Sequence, residues 1–386
     1  MLDPFPPSPA WLRDAVEPWA LHYNVPALTE HAHEVIIAFV GYLAIHFVLS
    51  PLLSPILFPR HYPQLNPRTK LNWDVHVVSL VQSTFINALA LWVMFVDDER
   101  NSMTAGERVY GYTGGCGLVS AFAAGYFVYD LIVSTVYIKL FGVGMLFHAL
   151  SALWVFSFGF RPFVNYYSPV FILYELSSPF LNIHWFLDKV NMTGSKFQWY
   201  NGMLLLSSFF CCRLLWGTYQ SLAVYQDMWY ALKQTWDASV FQIRDGSLCV
   251  NEACARAGIQ VSKYAPHTAA GVPTWLVLTY VISNLVLNFL NYFWFSKMVE
   301  TVLKRFRTPP AAADKTAEAK SAATEEKINH LREDIAQKVV LEAAAKLEQE
   351  EGGPFLDDLT DEKVASAVDS RLTEELRRRK ATVASS

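Results

Sequence analysis

Seven apolar stretches, each about as long as a membrane-crossing helix, constrain the fold of this chain more than any other feature. About 20 residues cross the hydrocarbon core, and only helices and closed barrels satisfy their backbone groups in lipid. We therefore expect an all-α membrane protein with about seven transmembrane helices. The predicted spans, numbered 1 to 7, cover residues 33–57, 75–96, 113–137, 140–158, 164–187, 200–225 and 273–299.

The charged residues divide the chain. Residues 301–386 hold 15 of the 31 Lys and Arg and 17 of the 35 Asp and Glu, which leaves 34 charges for residues 1–300. Soluble domains usually carry about 25% charged residues. We expect a polar segment at 1–30, a transmembrane domain at 31–305 and a charged, helical or partly disordered tail at 306–386. The tail should contain an amphipathic helix near 325–350 and a shorter helix near 360–380, which could bind a protein partner.

Composition and motifs exclude several functions. A net charge of −4 argues against a nucleic-acid surface. No phosphate-binding loop, zinc motif or serine-nucleophile motif is present, so the sequence predicts neither a cofactor nor a metal. Of the five cysteines, Cys249 and Cys254 lie in a long polar loop at about 228–271. They fit either a small lumenal disulfide or two unpaired thiols.

The orientation follows from the Lys and Arg residues of the short loops. These cluster after spans 1, 3, 5 and 7, which places that side in the cytosol. The C-terminus is then cytosolic and the loop at 228–271 is lumenal. The final residues form no ER-retrieval signal.

Three consecutive spans each carry one ionisable residue in their apolar part: Asp130, His148 and Glu175. An ionisable group in lipid is costly unless it faces the bundle interior or has a partner. We therefore predict that the three converge on one polar site. Arg213 is the expected cationic partner of Glu175 or Asp130, or else it extends towards an interface.

Further polar residues recur at helical spacing and should face inward with the ionisable ones. Pro179 should interrupt span 5 beside Glu175 and open a polar notch, although neighbouring Ser hydroxyls could simply satisfy the broken helix. The predicted polar lining consists of Tyr126, Asp130, His148, Glu175, Ser178, Asn182, Arg213, Asn284 and Asn288.

Four motifs resemble the TLC domain, which is shared by ceramide synthases and related ER membrane proteins. They are WDVHVVSLVQS at 73–83, GYFVYD at 125–130, FHALSAL at 147–153 and ELSSPFLNIHW at 175–185. The resemblance covers about residues 65–300. It is greatest to the branch that excludes the ceramide synthases, and within it to fungal members with long tails.

The resemblance implies a helical bundle around a central cavity, an ER membrane location and a role in lipid homeostasis, with membrane lipids as ligands. Ceramide synthases are acyltransferases with two adjacent histidines, but here Ala149 follows His148 and no His-Asp dipeptide occurs. Enzymatic activity therefore stays open, with Asp130 and His148 as the catalytic candidates for an acyl transfer. The third hypothesis is an ER cargo receptor or scaffold that acts through its tail.

Overall fold

Six long helices form the body of the protein. The computed structural model describes residues 1–237, 242–244, 247–249 and 260–306. Within them, six helices are long and apolar enough to cross a membrane. A shorter helix, α1, precedes these six, which are labelled α2 to α7. The bounds are α1 Ala10–His22, α2 Leu28–Leu57, α3 Pro67–Val96, α4 Gly114–Val136, α5 Ile138–Ser157, α6 Lys196–Trp236 and α7 Thr274–Phe306.

Short elements connect the long helices. Two π-helical turns, Ile45–Leu49 and Phe210–Trp216, lie within α2 and α6. Strands β1 (Gln242–Arg244) and β2 (Ser247–Cys249) pair antiparallel in the loop before α7. The remaining short helices outside predicted span 5 are Tyr62–Gln64, Asp98–Asn101, Ala105–Tyr110, Phe158–Phe160, Gln260–Ser262 and Ala265–Thr268.

Predicted span 5 is an interrupted helix rather than a continuous one, and we call residues 165–189 the broken segment. It alternates between 3₁₀ and α geometry over Asn165–Tyr167, Ser168–Phe171, Ile172–Ser177 and Ser178–Lys189.

The broken segment runs the length of the bundle. At its start, Val164 N donates to Val109 O, just before α4, at 2.8 Å. At its other end, the ring of Trp185 lies 6.0 Å from that of Trp73, near the start of α3. The described part of the chain thus passes through the bundle seven times, six times as a long helix and once as the broken segment. This agrees with the predicted number of spans.

Small residues on α4 allow α2 to approach it closely. A Cβ added at Gly117 would collide with the ring of His31, and one added at Gly125 would lie 2.6 Å from Ala38 Cβ. Gly114, nearer the start of α4, instead faces the N-terminal segment near Asp3.

The polar loop begins later than expected, because α6 continues to Trp236. The side chains of Cys249 and Cys254 lie outside the described residues, as do the predicted tail helices. The disulfide and the tail therefore stay predictions.

Candidate functional site

Glu175 and Arg213 form a charged pair inside the bundle and are only 7% and 5% exposed. Arg213 Nη2 lies 3.8 Å from Glu175 Oε1. Ser178 bridges the two, since its Oγ donates to Glu175 Oε2 at 2.7 Å and accepts from Arg213 Nη2 at 3.1 Å. Of the two carboxylates that the sequence offered as partners of Arg213, the structure pairs it with Glu175.

The interruption of the broken segment supplies a further acceptor for Arg213. Pro179 has no N–H, so the Glu175 carbonyl loses its α-helical donor and accepts from Ser178 N instead. Ser178 N is therefore no longer available to the Tyr174 carbonyl, and Arg213 Nε donates to that carbonyl at 2.9 Å. The predicted interruption at Pro179 is thus present, and it exposes backbone oxygen to the arginine.

Arg213 also contacts two side chains that hold it in place. Its Nε is 3.0 Å from Ser177 Oγ, and its Nη1 donates to Asn291 Oδ1 on α7 at 3.2 Å. A guanidinium has five N–H donors. Within the described part of the chain, the hydrogen bonds of Arg213 engage three of them, which leaves two donors for another acceptor.

Tyr126 and Asp130 lie one turn apart on α4 and face the same centre. Asp130 is buried, whereas Tyr126 is half-buried. The Tyr126 hydroxyl interacts electrostatically with both the Asp130 and the Glu175 carboxylates, and it hydrogen-bonds Ser79 on α3. Tyr126 therefore connects the two acidic residues.

His148 reaches the same centre from α5. Its ring lies between those of Phe127 and Trp294, at centroid distances of 6.2 and 5.7 Å. It interacts electrostatically with Glu175 and Arg213. His148 and Tyr126 thus each interact electrostatically with Glu175, and Tyr126 does so with Asp130 as well. We define the polar centre by Asp130, His148 and Glu175 together with Tyr126, Ser178 and Arg213.

Asn182 lies one turn beyond Ser178 and extends the polar centre towards α3. His76 Nδ1 donates to Asn182 Oδ1 at 2.7 Å, and Asn182 Nδ2 donates to Ser79 Oγ at 3.0 Å. Because Ser79 also bonds Tyr126, Asn182 is joined to the polar centre by a continuous chain of hydrogen bonds.

Asn284 and Asn288 on α7 form a neighbouring polar group rather than part of the centre. Tyr225 OH donates to Asn284 Oδ1 at 2.6 Å, and Asn288 Nδ2 donates to Ser221 Oγ at 3.0 Å. These contacts join α6 to α7. The only direct link from this group to the broken segment, within the described residues, is a 3.5 Å hydrogen bond from Tyr174 OH to Asn288 Oδ1.

Sequence reasoning missed Gln82 on α3. Gln82 is fully buried, and neither of its side-chain polar atoms has a hydrogen-bond partner in the described part of the chain. It follows Ser79 by one helical turn, next to the polar stripe that the sequence revealed. That spacing from Ser79 was the available signal.

A second buried carboxylate, Asp74, was also missed. Ser50 Oγ donates to Asp74 Oδ1 at 2.6 Å, and Tyr62 OH donates to the same oxygen at 3.1 Å. Burial and the nearby Asp74 carboxylate raise the pKa of Tyr62 to about 12, so its hydroxyl remains a donor. Tyr62 and Ser50 precede Asp74 by 12 and 24 positions, and the signal for Asp74 was its place in the WDVH motif.

The fold and the polar centre define a class: a multi-pass helical membrane protein with ionisable residues inside its bundle. Residues 72–300 match the TLC domain, and because this match covers more than half of the chain, the protein belongs to the TLC-domain family.

Relatives from fungi and vertebrates agree with this assignment. The chain is 35% identical over 301 residues to an uncharacterized TLC domain-containing protein of Schizosaccharomyces pombe, covering 78% of this chain and 88% of the relative. It is 28% identical over 288 residues to Topoisomerase I damage affected protein 4 of Saccharomyces cerevisiae, covering 73% and 88%. Human TLC domain-containing protein 4 is 28% identical over 153 residues, covering 39% and 57%. These relatives are not ceramide synthases, which confirms the predicted branch.

Proposed function

We propose that the polar centre binds the headgroup of a membrane lipid, a sphingolipid or a phospholipid, and that the protein acts in membrane lipid homeostasis. The observation that supports this most is the gathering of Asp130, His148, Glu175 and Arg213 inside a membrane-spanning bundle. Ionisable groups at membrane depth commonly mark a path or a site for a polar ligand.

The charges of the polar centre favour a particular kind of headgroup. Two carboxylates, Asp130 and Glu175, are opposed by one guanidinium. Either carboxylate could bind an amine in the headgroup. The two unused donors of Arg213 could then bind phosphate or hydroxyl oxygens of the same headgroup. The proposed ligand is therefore a lipid that carries both an amine and oxygen acceptors.

The side of the bundle between α5 and α7 offers a way in. His148 and Trp294 are only half-buried there, and the neighbouring Phe147 and Leu150 are 52% and 49% exposed. A headgroup could pass between these helices while its chains lie along the apolar outer surface of α5. An enclosed site for the chains has less support, because the cavity beside Phe171 and Tyr280 measures only about 10 Å³, room for about one water molecule. Ligand pockets usually measure about 300–1,000 Å³.

Gln82 gives independent support to a polar ligand near this centre. A buried amide without hydrogen bonds is destabilising by about 1–3 kcal/mol. Ser79, one turn before it, already bonds both Tyr126 and Asn182. A headgroup oxygen or amine held at the polar centre could supply the missing partner of Gln82.

Native mass spectrometry of the full chain, purified in mild detergent, tests the proposal. We expect one class of lipid to remain bound to the wild type. Asp130→Asn and His148→Ala should fold but lose this lipid, because each removes a group of the polar centre. Asp98→Asn changes an exposed carboxylate outside it and serves as the matched control. Equal lipid retention in all four proteins would contradict the proposal.

We further propose that the protein resides in the ER membrane with a cytosolic C-terminus, where the tail could bind a protein partner. The distribution of Lys and Arg in the loops supports this orientation. Asn191, in the sequence Asn-Met-Thr, lies between the broken segment and α6, on the side proposed to be cytosolic. It should carry no glycan in native membranes. A glycan on Asn191, detected as a shift removed by a glycosidase, would reverse the orientation.

A further inference from the structure

A second cluster of ionisable side chains lies at the start of α2, apart from the polar centre. His31 and Glu34 are three residues apart and therefore share one face of the first turns of this helix. Asp3 reaches them from the N-terminal segment. His31 Nδ1 lies 2.8 Å from Glu34 Oε2 and 3.2 Å from Asp3 Oδ2. One nitrogen and two carboxylates thus meet at one point.

Two of the three side chains of this cluster are shielded from water, and the third, Asp3, is 22% exposed. His31 and Glu34 are both fully buried. The absence of a side chain at Gly117 leaves just enough room for the His31 ring against α4. The other ring nitrogen, His31 Nε2, forms a 2.6 Å hydrogen bond with Tyr112 OH. If Nε2 carries the proton and donates to Tyr112, Nδ1 presents a lone pair to the two carboxylates.

Protein groups alone leave the Glu34 carboxylate incompletely satisfied, whereas Asp3 Oδ1 accepts a hydrogen bond from Phe5 N at 2.8 Å. A protonated Nδ1 supplies a single N–H for two acids. In the described part of the chain, neither carboxylate forms an ion pair with a Lys or Arg side chain. Glu34 Oε1 has no hydrogen-bond partner, and the nearest cationic candidate, His33 Nε2, is 3.8 Å away and bonds Pro6 O instead. A buried carboxylate oxygen without a partner is costly.

A divalent cation would resolve this arrangement. We propose that Asp3, His31 and Glu34 bind a divalent transition-metal ion of the Zn²⁺ class. Their ligand atoms all lie within 4.8 Å of one another. Zn²⁺ binds imidazole nitrogen and carboxylate oxygen at about 2.0–2.2 Å in tetrahedral geometry, which puts neighbouring ligand atoms roughly 3.3 Å apart. These three protein ligands leave the fourth tetrahedral position to a water molecule.

The ligand set also defines what the ion does. Asp3 belongs to the N-terminal segment, whereas His31 and Glu34 belong to α2, so the ion would tie the two together beside the start of α4. Tyr112 would act as the outer partner that orients the His31 ring, a role commonly filled around metal-bound histidines. No recognised metal-ligand spacing marks this site in the sequence, because Asp3 is 28 positions from His31.

Elemental analysis of the full chain, purified without chelator, tests this site. We expect about one transition-metal ion per chain in the wild type. Asp3→Asn and Glu34→Gln keep the side-chain shape but remove a charged ligand, so bound metal should fall to background. Glu30→Gln is the matched control, since Glu30 lies on the same helix but pairs at the surface with Lys263. It should retain the metal.

A titration of chelator-treated protein with Co²⁺ keeps the test decisive if the metal is lost in purification or if Glu34→Gln folds poorly. The wild type and Glu30→Gln should develop the visible absorption of tetrahedral Co²⁺ and melt at a higher temperature with Zn²⁺. Asp3→Asn should bind at least about tenfold to a hundredfold more weakly, as loss of even an outer partner can do. The proposal would be overturned if the wild type bound neither Co²⁺ nor Zn²⁺, or bound both ions no more tightly than Asp3→Asn does. The carboxylates would then share a proton instead of a metal ion.

Discussion

The contact between α2 and α4 and the contact between α5 and α7 differ in how tightly they close. Between α2 and α4, Gly117 and Gly125 bring the backbones together, and a hydrogen bond of 2.6 Å between His46 and Tyr129 is completely buried. Between α5 and α7, His148 meets Trp294 at 5.7 Å, and both residues are half-buried. Both contacts contain histidine and aromatic residues, yet only the second is accessible from the side of the bundle.

This difference separates two uses of polar residues in a membrane. In the contact between α2 and α4, which we call the closed contact, polar side chains form hydrogen bonds with one another and join the helices. In the contact between α5 and α7, which we call the open contact, His148 interacts electrostatically with Glu175 and Arg213, and there we propose that a ligand binds. Polarity within an apolar span therefore does not by itself reveal a binding site, and the packing around the residue decides.

The largest effect should come from the charged pair behind the open contact. Arg213→Ala leaves Glu175 buried without its cation, which typically destabilises by about 3–5 kcal/mol. We expect a large drop in the thermal unfolding temperature and in the yield of monodisperse protein. Arg213→Ala combined with Glu175→Gln should recover part of the loss, because the Glu175 charge is removed together with its cation. An unchanged unfolding temperature for Arg213→Ala would contradict the importance of the pair.

A smaller loss should follow from adding one methyl group to the closed contact. Gly125→Ala places a Cβ within 2.6 Å of Ala38 Cβ and 2.7 Å of Val35 O, so the helices must separate. Overpacking of this kind costs about 1–3 kcal/mol. Gly41→Ala on α2 is the control, since nothing lies within 4 Å of its added Cβ. If thermal melts show the same drop in unfolding temperature for Gly125→Ala and Gly41→Ala, the closed contact is not specially tight.

The smallest effect should come from one hydrogen bond in the closed contact. Tyr129→Phe removes the bond to His46 and should destabilise by about 1 kcal/mol. Because Tyr129 lies in the closed contact, the amount of co-purifying lipid should not change. Loss of the lipid in a folded Tyr129→Phe protein would show that the two contacts do not have separate roles.

Sequence patterns predicted the spans and the ionisable residues, because apolar length and isolated charges act locally. Pro179 even located the break in span 5, since the missing N–H is a property of one residue. Patterns could not choose between Glu175 and Asp130 for Arg213, because that depends on how helices rotate against each other. Sequence patterns could not predict the partners of Asp74 or the His31 cluster for the same reason. Tyr62 and Asp3 lie outside the spans and contact Asp74 and His31 only in the folded chain.

Site-directed photo-crosslinking tests the central claim, lipid entry between α5 and α7, most directly. A photoreactive phenylalanine replaces Trp294 beside His148 or, as the control, Phe289, which is 69% exposed on the same helix. We expect position 294 to capture one lipid class with an amine-bearing headgroup and to lose that selectivity with Glu175→Gln. Position 289 should capture lipids in proportion to the membrane. The same lipid mixture at both positions, unaffected by Glu175→Gln, would contradict lipid entry between α5 and α7.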